Sequence, residues 1–160
     1  MSEPILFLDI DGVLNSEAFF ARQRGRGITI ISTRQELIDP AAVAHLNRIV
    51  DTTGCHVVLS SSWRLHNLGD VIEWLRERGF RGTLFGATPR TPATRGGQIQ
   101  AWLNSWDHRA VYAALDDEPD LATHEGRWVV TNYAEGLTAE RADEAIRLLS
   151  QNRAWHRGSL

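Results

Sequence analysis

Residues 6–15 read Leu6-Phe7-Leu8-Asp9-Ile10-Asp11-Gly12-Val13-Leu14-Asn15. The apolar run at 5–8 shows no apolar/polar alternation, as a strand buried on both faces requires. It stops at Asp9, and Gly12 lets the backbone turn sharply and approach a ligand closely. Further short apolar runs of this kind lie at 57–59, 83–85, 110–115 and 128–130.

Amphipathic segments with readable ends separate these runs. Asp39-Pro40 marks a helix start, with a capping side chain and then proline at the first helical position. Val43, Leu46 and Val50 follow on one face, and Gly54 closes the segment. Leu68, Ile72 and Leu75 form a second stripe ended by Gly79. Ile99, Trp102, Leu103 and Trp106 form a third, and Thr138 caps a fourth that carries Ala142, Ala145, Ile146 and Leu149. Strands alternating with helices predict an α/β fold: a doubly wound, Rossmann-like parallel sheet in a three-layer α/β/α arrangement. With 160 residues and no internal repeat or linker, a single domain over 1–160 is expected. Residues 16–38, with Gly25-Arg26-Gly27 and the run Ile28-Thr29-Ile30-Ile31, read as a short flap or minimal cap, possible as a hairpin. Residues 152–160 read as a frayed tail.

Composition excludes several classes. Hydrophobic residues at 42% and charged residues at 23% argue against disorder. The single cysteine, Cys55, leaves no disulfide framework and no cysteine-based zinc site, which suits a reducing, cytoplasmic setting. No apolar run is long enough to span a membrane. A net charge of −3 provides no overall attraction to nucleic acid or anionic lipid. Nothing in the sequence calls for an obligate protein partner. All 17 basic residues are arginine, so any task usually given to lysine falls to arginine here.

In open parallel sheets, ligands bind beyond the carboxyl ends of the strands. Asp9-Ile10-Asp11-Gly12 follows the first run, Ser60-Ser61-Ser62 the second, and Asp116-Asp117 the fourth. In a parallel sheet these turns share one edge and gather their carboxylates in a small space. Such groups repel unless they hold a cation or retain protons. An all-oxygen set of two or three carboxylates suits Mg2+, which keeps waters and recruits phosphate oxygens. One carboxylate can then attack while its neighbour handles a proton. A calcium-binding loop fits poorly, because it needs glycine at its sixth position and Gly12 is fourth.

Residues 6–15 resemble the first motif of the haloacid dehalogenase (HAD) superfamily of phosphohydrolases. Val57-Val58-Leu59-Ser60 resembles its second motif, and Leu115-Asp116-Asp117 its fourth. Arg95 is the best match to the third, a basic residue that is usually lysine. The resemblance implies an enzyme, a HAD-type phosphatase. It implies that Asp9 attacks phosphorus and becomes an aspartyl phosphate, while Asp11 protonates the leaving oxygen and then activates water. It also implies that Ser60 hydrogen-bonds the transferring group and Arg95 steadies its charge. Asp116 would bind Mg2+ together with Asp9 and the backbone carbonyl of Asp11, and Asp117 would support that shell. Which serine of Ser60 to Ser62 binds phosphate stays open between neighbours, with Ser60 first and Ser61 next. Arg95 near a helix start opposes the dipole preference for anions, and a bound phosphate would relieve the conflict.

Two other classes compete. A signalling receiver domain also phosphorylates an aspartate on such a sheet, but it needs a lysine near its end and an acidic pair after its first strand. A phosphate-binding protein without turnover is the other alternative, although both Asp9 and Asp11 are present. For the phosphatase reading, a small cap suggests an open site and a bulky phosphate. Residues 59–64, Leu-Ser-Ser-Ser-Trp-Arg, are similar to HAD domains of nucleic-acid end repair, so the substrate is expected to be either a small phosphorylated molecule or a polynucleotide end. Arg22, Arg24 and Arg26 are candidate backbone contacts, and Arg64 and His66 are candidates to reach substrate.

Overall fold

The computed structural model describes residues 3–29, 34–107, 109–118 and 124–158, with side chains up to residue 150. Five strands, β1 (Ile5–Leu8), β2 (His56–Leu59), β3 (Leu84–Ala87), β4 (Tyr112–Asp116) and β5 (Trp128–Val130), form one sheet. Its order is β3-β2-β1-β4-β5, and every neighbouring pair is parallel.

Successive strand residues point to opposite faces, so runs without alternation feed two cores. Leu6, Leu8, Val57, Leu59 and Leu115 pack on one face. There they meet buried residues of helices α2 (Pro40–Thr53), α3 (Leu68–Glu77) and α5 (Ala139–Gly158). Ile5, Phe7, Val58 and Ala114 pack on the other face, against Ile99 and Leu103 of α4 (Arg95–Trp106). The result is the three-layer arrangement expected. Asp39 caps α2 by accepting the Ala41 N–H at 2.9 Å, and Gly54 closes it at φ +69°.

Four expectations need correction. The third strand is displaced to Leu84–Ala87, because β3 is a sheet edge and its Phe85 is exposed, so continuous apolarity no longer marks its bounds. The fourth strand runs to Asp116, which makes that acid part of the strand itself. Within 16–38 the chain forms a helix, α1 (Glu17–Gly25), and a 3-10 turn at Arg34–Leu37, in place of a hairpin. Ser16 caps α1 by accepting the Phe19 N–H at 3.1 Å, while Phe19 is its one buried residue, so apolar periodicity could not signal it. Residues 30–33 lie outside the described set. Finally, α5 keeps helical backbone to Gly158 where a frayed tail from 152 was expected, since no glycine or proline interrupts the intervening helix formers. Among the described residues, no helix is long and apolar enough to cross a membrane.

Candidate active site

The chain fills the sheet from β1 through β2 to β3, then returns to the other side of β1 for β4. The reversal opens a crevice at the carboxyl ends, and Asp9 and Asp116 straddle it. Leu8 pairs with Leu115, and the Asp9 N–H donates to the Leu115 carbonyl at 3.0 Å, which sets the two acids side by side. Thr88, Ser60, Asp9, Asp116 and Thr131 stand at the carboxyl ends of the five strands, and each is at least nine-tenths buried. The hydroxyls of Ser60, Thr88 and Thr131 and Oδ2 of Asp116 have no hydrogen-bond partner. A buried polar group left unpaired costs ~1–3 kcal/mol. Several at one sheet edge indicate a place completed by a bound polar group.

Asp9, Asp116 and Asp117 each offer an oxygen, and these atoms lie within 4.8 Å of one another. Burial, reinforced by the negative charge of Asp116, pushes the Asp9 carboxyl up to about 9 against the opposing pull of Arg95. Burial also raises Asp116, to about 6, with Arg95 opposing. Burial and mutual repulsion thus favour a proton retained by the pair when no cation is present. A divalent cation can take the place of that proton, and the all-oxygen donor set with its orphaned Asp116 Oδ2 fits Mg2+. Gly12 makes the cluster possible: at φ +79°, a Cβ there would stand 2.2 Å from Asp117 Oδ2. The close approach expected of Gly12 is thus made by a carboxylate from the β4 turn.

Arg95 opens α4 behind the Thr94 cap, whose hydroxyl accepts the Gly97 N–H at 3.2 Å. Its Nη1 donates to the Ser60 carbonyl and lies 3.6 Å from Asp9 Oδ1, and its Nε lies 3.6 Å from Asp116 Oδ2. The guanidinium thus bridges both acids, and their charge answers the dipole conflict noted in the sequence. The serines separate. Ser61 Oγ accepts the Trp63 N–H and so caps the 3-10 turn Ser62–Leu65, whereas Ser60 Oγ is buried and unpartnered.

Asp11 stands apart from the acidic cluster and is exposed. Asn15 Nδ2 donates to its Oδ1 at 2.9 Å, and Trp63 Nε1 donates to its Oδ2 at 3.3 Å. These two donors hold its side chain outside the cluster of Asp9, Asp116 and Asp117. Asn15 also accepts the Gly12 N–H, so one amide ties the turn to the acid. Sequence reasoning gave no role to Asn15 or Trp63; the position of Trp63 just after the serine turn was the available signal. A cavity of about 240 Å³ opens beside Arg95, lined by Ser62, Arg64, Ala93, Gln98 and Glu118 as well. His66 is instead packed edge-on against the Trp63 and Trp74 rings. Arg22 is paired with Asp39 at 3.1 Å.

The family model described as the HAD domain in Swiss Army Knife RNA repair proteins matches residues 5–142. The chain belongs to this family. It is accordingly a HAD-type phosphohydrolase, and the acidic turns described above occupy the span that the family covers. No curated protein and no solved structure matches it.

Proposed function

We propose that this HAD domain is a magnesium-dependent phosphomonoesterase working through an aspartyl phosphate on Asp9. The observation that carries the reading is the convergence of Asp9, Asp116 and Asp117 with Arg95 and the unpartnered Ser60 hydroxyl at one switch point. Asp9, Asp116, Asp117 and the backbone carbonyl of Asp11 would hold Mg2+, which neutralises carboxylate and phosphoryl charge. An Asp9 oxygen attacks phosphorus as the bond to the leaving oxygen breaks, and Asp11 gives that oxygen its proton. Asp11 then takes a proton from water, which attacks the same phosphorus and frees Asp9 and inorganic phosphate. Ser60 and Arg95 hold the phosphoryl oxygens throughout, with Ser61 shaping the turn that carries Ser60. Stabilising charge in this way is the main lever in phosphoryl transfer.

The substrate proposed is a phosphate at an RNA end. The family's association with RNA repair proteins supports it, as does the likeness of residues 59–64 to end-repair domains. In this reading the described residues of 16–38, helix α1 and the 3-10 turn, serve as a minimal cap. The test is Mg2+-dependent release of phosphate from p-nitrophenyl phosphate and from 3′-phosphorylated oligoribonucleotides. Asp9→Asn is expected to abolish both, and borohydride is expected to trap the acyl phosphate as homoserine at position 9. Undiminished turnover in Asp9→Asn would remove the nucleophile.

A further inference from the structure

Arg64 has a role that the chemistry above does not use. Its Nη1 donates to the Ser61 carbonyl at 2.8 Å and its Nη2 to Gln98 Oε1 at 3.1 Å. Gln98 is nine-tenths buried, and its Nε2 donates to the carbonyls of Arg90 and Pro92 at 3.1 and 2.9 Å. Both amide hydrogens are thereby occupied, so the amide cannot turn over and must present its oxygen to Arg64. The guanidinium is held by two neutral acceptors. Among the described residues it takes part in no ion pair, and its Nε is buried without a partner.

A guanidinium has five N–H donors. Two are used for positioning, leaving the second N–H on each of Nη1 and Nη2 for a ligand. Burial lowers the Arg64 pKa, and Arg95 and Arg90 repel its charge more strongly than Asp9 supports it. Such a cation is completed by an anion. The cavity it lines, about 240 Å³, holds several times the ~30 Å³ share of one water, and Arg95 joins it directly to Asp9. Among the described residues its one lining carboxylate, Glu118, lies 3.9 Å from Arg95 Nη2 and forms no ion pair with Arg64.

We propose that Arg64, positioned by Gln98, binds a second phosphate of the substrate beside the phosphoryl group that Asp9 attacks. The inference rests on the phosphatase reading and narrows its substrate class to molecules with two neighbouring phosphates. Two sources share that chemistry: the last phosphodiester of a polynucleotide end, and a second ester on a bisphosphorylated small molecule. A fork such as Arg64 grips two phosphate oxygens at once, which a lysine cannot.

The experiment is equilibrium binding to the full-length Asp9→Asn variant in Mg2+, which needs no turnover. Ligands are compared in pairs: a nucleoside 3′-monophosphate against a dinucleotide carrying a 3′-phosphate, and a hexose monophosphate against its bisphosphate. The second phosphate is expected to tighten binding by roughly ten- to a hundredfold in at least one pair, as a charge-assisted hydrogen bond does. The responding pair identifies the source. Adding Arg64→Gln should collapse that ratio towards one, Arg64→Lys should restore part of it, and Gln98→Leu should reduce it. Equal affinity within both pairs, binding of neither member, or a ratio that survives Arg64→Gln overturns the proposal. If turnover is absent from the parent protein while the ratio holds, the phosphatase reading fails and the subsite stands.

Discussion

Replacing Gly12 with alanine separates two effects that meet at one atom. The first is conformational. Gly12 sits at φ +79°, where an alanine costs ~1–2 kcal/mol. For a chain of this size ~1 kcal/mol moves Tm by ~2–4 °C, so this part lowers Tm by about 2–8 °C. The second is steric. The new Cβ would lie 2.2 Å from Asp117 Oδ2 and 2.6 Å from its Cγ, which atoms cannot tolerate, but 3.3 Å from its Cβ, which a small shift accommodates. The Asp117 carboxylate must therefore swing out of the cluster with Asp9 and Asp116.

That movement has opposite consequences with and without metal. Without a cation it relieves the repulsion that Asp117 exerts on Asp116, so the loss stays near the conformational part. With Mg2+ it removes a charge from the site. At a concentration 100 times its Kd, Mg2+ stabilises the parent by ~2.7 kcal/mol, and a tenfold weaker site gains only ~1.4 kcal/mol. Thermal unfolding with and without Mg2+, together with calorimetric Mg2+ titration, should show the larger Tm loss in the presence of metal. In an Asp117→Ala background, Gly12→Ala should cost only the conformational part. The reasoning is refuted if Gly12→Ala lowers Tm equally with and without Mg2+, or if the parent Mg2+ affinity is retained.

Three further outcomes follow from the site. Asp9 is raised from 3.8 to about 9, so between these values the folded protein holds a proton that the unfolded chain has released. Stability of the metal-free protein therefore falls as pH rises from about 4 to about 9, and Mg2+ binding near pH 7 releases protons; denaturant midpoints across pH and titrations in two buffers check this, and a flat profile without proton release contradicts it. Ser60→Ala removes a buried, unpartnered hydroxyl, so Tm should hold or rise while kcat/KM drops about tenfold for a lost charge-assisted bond; a lower Tm would mean that the hydroxyl has a partner in the free protein. Trp63→Phe keeps a ring but deletes the donor to Asp11 Oδ2, which should lower kcat by roughly two- to tenfold and shift a limb of its pH profile; destabilisation with the profile intact would assign Trp63 to packing alone.

The elements most legible in the sequence were those whose environment is uniform. A strand buried on both faces, as β1 is, shows as an unbroken apolar run, and the acids that end it cannot continue into either core. Once the sheet is parallel, Asp9 and Asp116 must meet at one edge. Where one face is open the signal fails: β3 is an edge strand and α1 buries only Phe19, so neither displays the pattern that marks its bounds. Helix α1 is instead anchored through its first turn, where the Glu17 and Ala18 N–H groups donate to the carbonyls of Tyr133 and Ala134. That contact crosses more than a hundred positions and leaves no local trace. Composition also fails to choose between chemically equivalent neighbours. Ser60 and Ser61 are alike as residues, and they differ because the turn ahead takes the Ser61 hydroxyl for the Trp63 N–H. Asp117 joins the cluster because a residue far upstream lacks a Cβ. Chemical type is therefore written locally in this chain, whereas the assignment of one hydroxyl or carboxylate to a task depends on what the folded backbone sets beside it, two positions away for Ser61 and more than a hundred for Asp117.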